Sequence, residues 1–413
     1  MKILMLGRWL PPPRRPVRGT REYQFARHLA RRHQLTLAFI ADHRDAAGPV
    51  TVLRSEFGDL EFAAIPRGWK SLASAVRLAA GQSCTMSYYR SEALRTRLAE
   101  RVNRTGYGLV FVSSSSMIQY ALDVSPTIPM VMDFAELDSE WWMRQARGGS
   151  FPAEGFFRAE ATRLRAAETA AARRAALCLT ETSEAAEMVR ALGGSAPVGV
   201  IPTGIDVDTR GPAGAGDQPP TVVVSILFRS GPELKDALEF YRSVGPAVRA
   251  EVPRVRFVVA SRDPVPAGRV RKDAVGIEVT ALTDPRPLLH TRTVAVAPPG
   301  AGFDLRASVL EPMAAGIPVI VSSRTCERLG AQSGRDVQVA DTASEISRRL
   351  IELLESDTHR REIGSRGRSL VETGFSCDVV TARLDQLLAG VLKAPPGVEP
   401  AARPLPIAVV PGG

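Results

Sequence analysis

The sequence predicts an α/β protein built from two parallel-sheet domains that face an interdomain cleft. Three observations predict it. The chain has 413 residues, too many for one ordinary core and well suited to two domains of about 200 each. Short β-branched runs alternate with Ala/Arg/Leu/Glu-rich stretches at helical spacing, the rhythm of βαβ units. One segment dense in Gly, Pro and Asp, residues 206–220, interrupts that rhythm, which then starts again.

In the first half the β-branched runs predict strands at Lys2–Leu6, Gln34–Ile40, Leu60–Ile65, Leu109–Ser113, Pro129–Asp133 and Leu177–Thr180. Between them Arg21–Arg32 and the Ala-rich stretch from Pro152 to Ala176 read as helices, and Val198–Pro202 closes the half. After the linker, strands are predicted at Thr221–Leu227, Arg256–Ala260, Ile277–Thr280, Val294–Ala297, Val319–Val321 and Val337–Ala340. Helices fit Lys235–Glu251, Leu305–Ala315, Ser344–Ser356 and His359–Thr373. The expected domains are therefore residues 1–205 and 221–392, with a Pro-rich tail from 393 to 413.

Composition excludes several classes. Hydrophobic residues make up 45% and charged residues 23% of the chain, a soluble globular balance with no run near the roughly 18 apolar residues that span a bilayer. The apolar N-terminal stretch is too short for a secretory leader. Cys84, Cys178, Cys326 and Cys377 are far apart, and no histidine completes a ligand set, so neither structural zinc nor a disulfide framework is expected. A reducing cytoplasm is the simplest compartment. Residues 1–205 hold 27 Arg plus Lys against 19 Asp plus Glu, while the remainder is nearly neutral. That asymmetry suits an anionic ligand, peripheral contact with an inner-membrane surface, or a merely solvated face. No zinc finger or aromatic–basic stripe points to nucleic acid.

The most informative segment runs from Leu305 to Val321. A helix is expected to end with Gly316 as its C′ residue, with Pro318 and a buried strand following at once. Leu310, Met313 and Ala314 form its apolar face, with Glu311 beside them. The helix follows the turn Pro298-Pro299-Gly300-Ala301-Gly302. A helix tip with free amides behind a glycine-bearing loop suits a diphosphate, and a carboxylate one turn further in suits a ribose diol.

Glu311-Pro312-Met313-Ala314-Ala315-Gly316-Ile317-Pro318-Val319 resembles the second half of the donor-binding motif of GT-B glycosyltransferases of the family-4 type. The resemblance extends over about residues 1–390. Thr182-Ser183-Glu184, Val200-Ile201-Pro202-Thr203-Gly204-Ile205-Asp206 and Ile226-Leu227-Phe228-Arg229-Ser230-Gly231 fall where that family has related turns. Asp133-Phe134-Ala135-Glu136-Leu137-Asp138-Ser139-Glu140-Trp141 is similar to a segment of its exopolysaccharide-associated subgroup.

The resemblance implies a GT-B fold of two Rossmann-like domains and a retaining, metal-independent transfer of sugar from a nucleoside-diphosphate sugar, UDP- or GDP-linked, with no further cofactor. It gives Glu311 the ribose, and Arg229, Lys235, Arg262 and Arg306 the diphosphate. The base falls to the loop at Thr283. Phe303, beside Asp304, stands where the family has its first glutamate, and Ser308 where the subgroup often has lysine. Leu310 lines the donor helix. Gly19 and Thr20 would let ligands approach the first helix tip, and Asp133, Glu136 or Asp138 would act as general base or orient the acceptor. Asp138 also suits a helix cap, and Trp141 and Trp142 suit either an acceptor platform or core packing. The acceptor is expected to be a small natural product or a lipid-linked glycan. The alternative is a non-catalytic binding or partner subunit of the same fold, and a nucleotide-sugar epimerase is a third, weaker reading.

Overall fold

The computed structural model describes residues 1–8, 20–42, 47–65, 81–124, 127–148, 152–207, 212–214, 216–226, 232–261, 276–281, 286–298 and 305–393. The chain forms two compact units. One gathers the described residues up to Pro202 together with Thr381–Lys393; the other runs over the described residues from Thr203 to Val380.

In the first unit the order is β1 (Lys2–Gly7), α1 (Arg21–Ala30), β2 (Gln34–Asp42), α2 (Ala47–Phe57), β3 (Asp59–Ile65), α3 (Cys84–Tyr88), α4 (Glu92–Thr105) and β4 (Leu109–Ser113). There follow α5 (Ile118–Val124), β5 (Met130–Ala135), α6 (Asp138–Gly148), α7 (Ala153–Arg174), β6 (Leu177–Thr180), α8 (Ser183–Arg190) and β7 (Val198–Val200). The seven strands lie in the order β3-β2-β1-β4-β5-β6-β7 and every pair is parallel. Helices on both faces explain why β1 and β4 read as unbroken apolar runs: Ile3–Leu6 and all of Leu109–Ser113 are buried. The order reverses between β1 and β4, and outside the carboxyl ends of such a pair is where open α/β sheets bind ligands.

The second unit contains β8 (Thr221–Ile226), α9 (Pro232–Glu251), β9 (Arg256–Ser261), β10 (Ile277–Ala281), β11 (Thr293–Val296) and a π-helical turn at Arg306–Leu310. This turn continues into α10 (Glu311–Ala314), β12 (Val319–Val321), α11 (Ser323–Leu329), β13 (Gln338–Val339), α12 (Ala343–Glu355), α13 (Asp357–Gly374) and α14 (Cys377–Lys393). Its six parallel strands lie in the order β10-β9-β8-β11-β12-β13, so the reversal falls between β8 and β11.

The expected strands all form, with ends shifted by at most two residues where described. The segment read as a linker behaves differently. Its described part docks on the second unit, where Ala213 bridges His290 and Thr291 donates to the Ala213 carbonyl at 3.0 Å. From Thr381 onward α14 joins the first unit rather than the second. His28 and Arg32 of α1 both reach Asp385, at 2.8 and 2.7 Å, and Leu387 occupies the space a side chain at Gly199 would need. The tail beyond Lys393 lies outside the described residues. No helix among the described residues is long and apolar enough to cross a membrane.

Candidate functional site

In the second unit the site grows from the end of β8. Pro312 has no N–H to donate and its ring excludes the carbonyl four residues back, so a regular α-ladder cannot run through it. The chain widens instead: the Glu311 N–H donates to the Arg306 carbonyl, five residues back, in a π-turn. In an α-helix residues five apart point about 140° away from each other. Here Arg306 Nε lies 3.2 Å from Glu311 Oε1, with side chains 19% and 17% exposed. The turn is pinned from below, because buried Ser308 donates its Oγ to the Ser225 carbonyl of β8 at 2.7 Å.

Beyond Glu311 the helix stops as its sequence predicts. Gly316 has φ +75°, its N–H donates to Met313 O at 2.8 Å, and the Ile317 N–H donates to Pro312 O at 2.9 Å, the paired bonds of a Schellman cap. Helix α13 passes so close that a Cβ at Gly364 would run into the Gly316 carbonyl. Leu310, Met313 and Ala314 are buried in one apolar cluster with Ile317 and Val319. A carboxylate–guanidinium pair is thus held on a rigid, close-packed turn at the point where the strand order reverses.

In the first unit polar groups converge at the carboxyl ends of β1, β4 and β5. Arg21, the first residue of α1, is buried; its Nε and Nη2 donate to Asp133 at 2.9–3.1 Å, and its Nη1 donates to the Ile201 carbonyl. Arg8 Nη1 lies 3.2 Å from Asp138 Oδ2, and its guanidinium sits 5.8 Å from the Tyr89 ring centre. Beneath them Glu168 of α7, fully buried, accepts from Ser115 Oγ at 2.7 Å, from the Ser139 N–H at 3.1 Å and from Ser139 Oγ. That carboxylate caps α6 from outside and ties the ends of β4 and β5 together. Glu160, two turns earlier, does the same for α3 through Ser83, Cys84 and Thr85.

Strain collects in the same place. Among the described residues, Ser114 (φ +82°) and Ala135 (φ +54°) are the non-glycine residues with positive φ; they follow Ser113 and Phe134, and the β5–β6 register shifts between Asp133 and Ala135. Such conformations cost of order 1–3 kcal/mol each and concentrate at functional sites. Burial pushes the carboxyls of Asp138 and Glu168 above their ordinary range; Arg8 opposes the shift at Asp138 and the serines oppose it at Glu168. Burial, reinforced by Asp133, also raises Glu22 in the first turn of α1.

The sequence-predicted residues therefore divide. Glu311 and Arg306 come together, with Ser308 and Leu310 turned inward beneath them. Lys235 is exposed on α9 and pairs with Glu239 at 3.6 Å. Thr20 caps α1, accepting from the Tyr23 N–H at 3.4 Å. Asp133 is held inside by Arg21, Asp138 stands half-open beside Arg8, and Glu136 is exposed and paired with Arg144. Gly19, Arg229, Arg262, Thr283, Phe303 and Asp304 lie outside the described residues. Trp142 packs against Phe156 and Phe157 of α7, while Trp141 touches it edge-on and stays exposed. Among the described residues no group of three or more His, Cys, Asp or Glu is placed to hold a metal ion.

Sequence reasoning missed Arg8, Arg21 and Glu168. An arginine in an Arg-rich loop and a glutamate in an Ala/Glu/Arg helix both read as solvated surface. Only the partners that the fold brings to them distinguish them: Asp138 for Arg8, Asp133 for Arg21, and Ser115 and Ser139 for Glu168.

Comparison with known proteins bears on the fold. The profile of the family described as Glycosyl transferases group 1 matches residues 222–356, about a third of the chain and most of the second unit. No curated protein sequence matches. Among solved structures, Anabaena HepE in complex with UDP-glucose is 14% identical over 94% of this chain and 99% of its own, with a TM-score of 0.62. The sucrose-phosphate synthase of Thermosynechococcus elongatus is 14% identical over 94% and 98%, at 0.63. The Candida albicans trehalose-6-phosphate phosphatase N-terminal domain is 11% identical over 94% and 96%, at 0.61. The two parallel-sheet units are those of a GT-B fold.

Proposed function

We propose that this GT-B protein is a retaining, metal-independent glycosyltransferase of the family-4 type, which moves a sugar from a nucleoside-diphosphate sugar to a hydroxyl acceptor. The observation that carries this reading is the Arg306–Glu311 pair on its π-turn at the β8/β11 reversal, inside the segment that matches the group 1 family. Glu311 accepts from the donor ribose hydroxyls, and Arg306, steered by Glu311, faces the diphosphate. Cations and helix-tip amides of the second unit stabilise the charge that grows on the departing diphosphate. That supply of fixed positive charge is what makes a divalent ion dispensable. The UDP and UDP-glucose complexes of HepE support a nucleotide sugar as donor. Acceptor binding is assigned to the first unit, where Asp138 beside Arg8 orients the acceptor hydroxyl and buried Asp133 holds α1 in position. The acceptor is a small natural product or a lipid-linked glycan, handled in the cytoplasm or at the inner-membrane surface.

The test is thermal-shift binding with UDP-, GDP- and dTDP-sugars, with and without EDTA. One nucleotide class should stabilise the protein in EDTA, and Glu311→Ala should abolish the shift. No stabilisation by any class would remove the reading. One observation favours a non-catalytic binder: Ser308, where the resembling subgroup often has lysine, gives its hydroxyl to a backbone carbonyl instead of offering charge to a diphosphate. Slow release of free sugar from a bound donor separates the two, because a transferase leaks to water and a binder does not.

A further inference from the structure

We propose that the exposed indole of Trp141 and the Asp138 carboxylate form one saccharide-binding platform, so that the acceptor presents a pyranose ring to the first unit. This rests on the transferase reading and narrows its acceptor. Asp138 and Trp141 stand three residues apart in the first turns of α6 and share one helix face, with Cβ atoms about 5–6 Å apart. Trp141, 41% exposed, is the exposed aromatic ring among the described residues. Its orientation is fixed by the edge-on contact with Trp142 at 4.9 Å, and Trp142 is braced by Phe156 and Phe157. A rigid, open indole accepts the C–H face of a sugar ring. The neighbouring carboxylate accepts from ring hydroxyls, and Arg8, 3.2 Å from it, donates to ring or hydroxyl oxygens. A lipid surface fits the same face less well. Glu136 with Arg144, Glu140 with Arg165 and Glu154 with Arg158 neutralise the surrounding helix surface, leaving little excess charge for anionic headgroups.

Saturation-transfer NMR on the full chain, with methyl α-D-glucopyranoside and maltose as probes, tests the platform. UDP binding is measured in parallel on the same samples. Saturation should concentrate on the ring C–H protons. Trp141→Ala should weaken binding roughly 3- to 10-fold, Asp138→Asn should weaken it too, and UDP affinity should not change. Trp141→Phe, which keeps a ring, should recover part of the loss and guards against misfolding of the alanine variant. Glu311→Ala should lose UDP and keep the saccharide. Loss of UDP binding alone, with the Trp141 dependence intact, would remove the donor reading and leave the platform standing. The platform is overturned by saccharide binding that ignores Trp141→Ala, by no saccharide binding at all, or by sedimentation with phosphatidylglycerol vesicles that Trp141→Ala abolishes.

Discussion

Arg21 clamps both oxygens of Asp133 at 2.9–3.1 Å, with the two side chains 5% and 0% exposed, and so joins the first turn of α1 to the end of β5. The same guanidinium reaches the Ile201 carbonyl where the first unit ends. Removing one partner leaves a buried charge uncompensated, which costs about 3–5 kcal/mol, whereas replacing both with apolar residues of similar volume is often neutral. Arg21→Met and Asp133→Leu should therefore each lower the urea midpoint of the first unit's transition strongly, and the double variant should recover much of the loss. Additive losses would show that the pair is not a coupled unit.

Glu168 gives a pH signature. Burial raises its carboxyl above the ordinary 4.5 despite the three donors around it. The folded state then holds its proton to higher pH than the unfolded state, so this group's contribution to stability is fully present below pH 4.5 and declines as pH rises through the raised folded value. Glu168→Gln cannot ionise. Its melting temperature relative to the wild type should rise between pH 4 and pH 8, measured by calorimetry at fixed ionic strength. A gap that is flat or shrinks with pH would show that the fold does not raise the Glu168 carboxyl.

How far the sequence carries this far depends on whether a residue's environment is local. Gly316 was readable as a helix terminator because the requirement for positive φ, the following Pro318 and the apolar face at Leu310, Met313 and Ala314 all lie within a few residues. The strands were readable because burial on both faces leaves unbroken β-branched runs. The π-turn was not readable as such: Pro312 announces a broken ladder, but only the packing of Ser308 on β8 decides that the chain widens and brings Arg306 onto Glu311. Glu160 and Glu168 were invisible for the same reason, since their donors come from segments 29 to 77 residues away in sequence.

The near-contact of Gly364 with the Gly316 carbonyl gives a third prediction. A methyl group there has backbone in its path and no flexible side chain to push aside. Gly364→Ala must therefore move either α13 or the Schellman turn, and overpacking of this kind typically costs 1–3 kcal/mol. Because the turn carries Glu311 one helical turn upstream, the variant should also weaken nucleotide-sugar binding in a thermal-shift titration, at a temperature where it remains folded. Gly390→Ala in α14, where a Cβ meets nothing within 4 Å, is the control and should leave binding unchanged.

Ser308 separates two accounts of the donor site. If position 308 serves the diphosphate, Ser308→Lys should restore a cation and tighten UDP binding. The structure argues otherwise: the side chain is 1% exposed and its Oγ satisfies the Ser225 carbonyl at 2.7 Å. Ser308→Ala leaves that buried carbonyl without its partner and should cost about 1–3 kcal/mol. Ser308→Lys adds the desolvation of an ammonium on top and should be the less stable of the two, with no gain in UDP affinity by calorimetric titration. The pinned π-turn is then what the serine contributes, and both variants should disturb the Arg306–Glu311 pair above it. A lysine variant that folds as well as the wild type and binds UDP more tightly would return position 308 to the diphosphate.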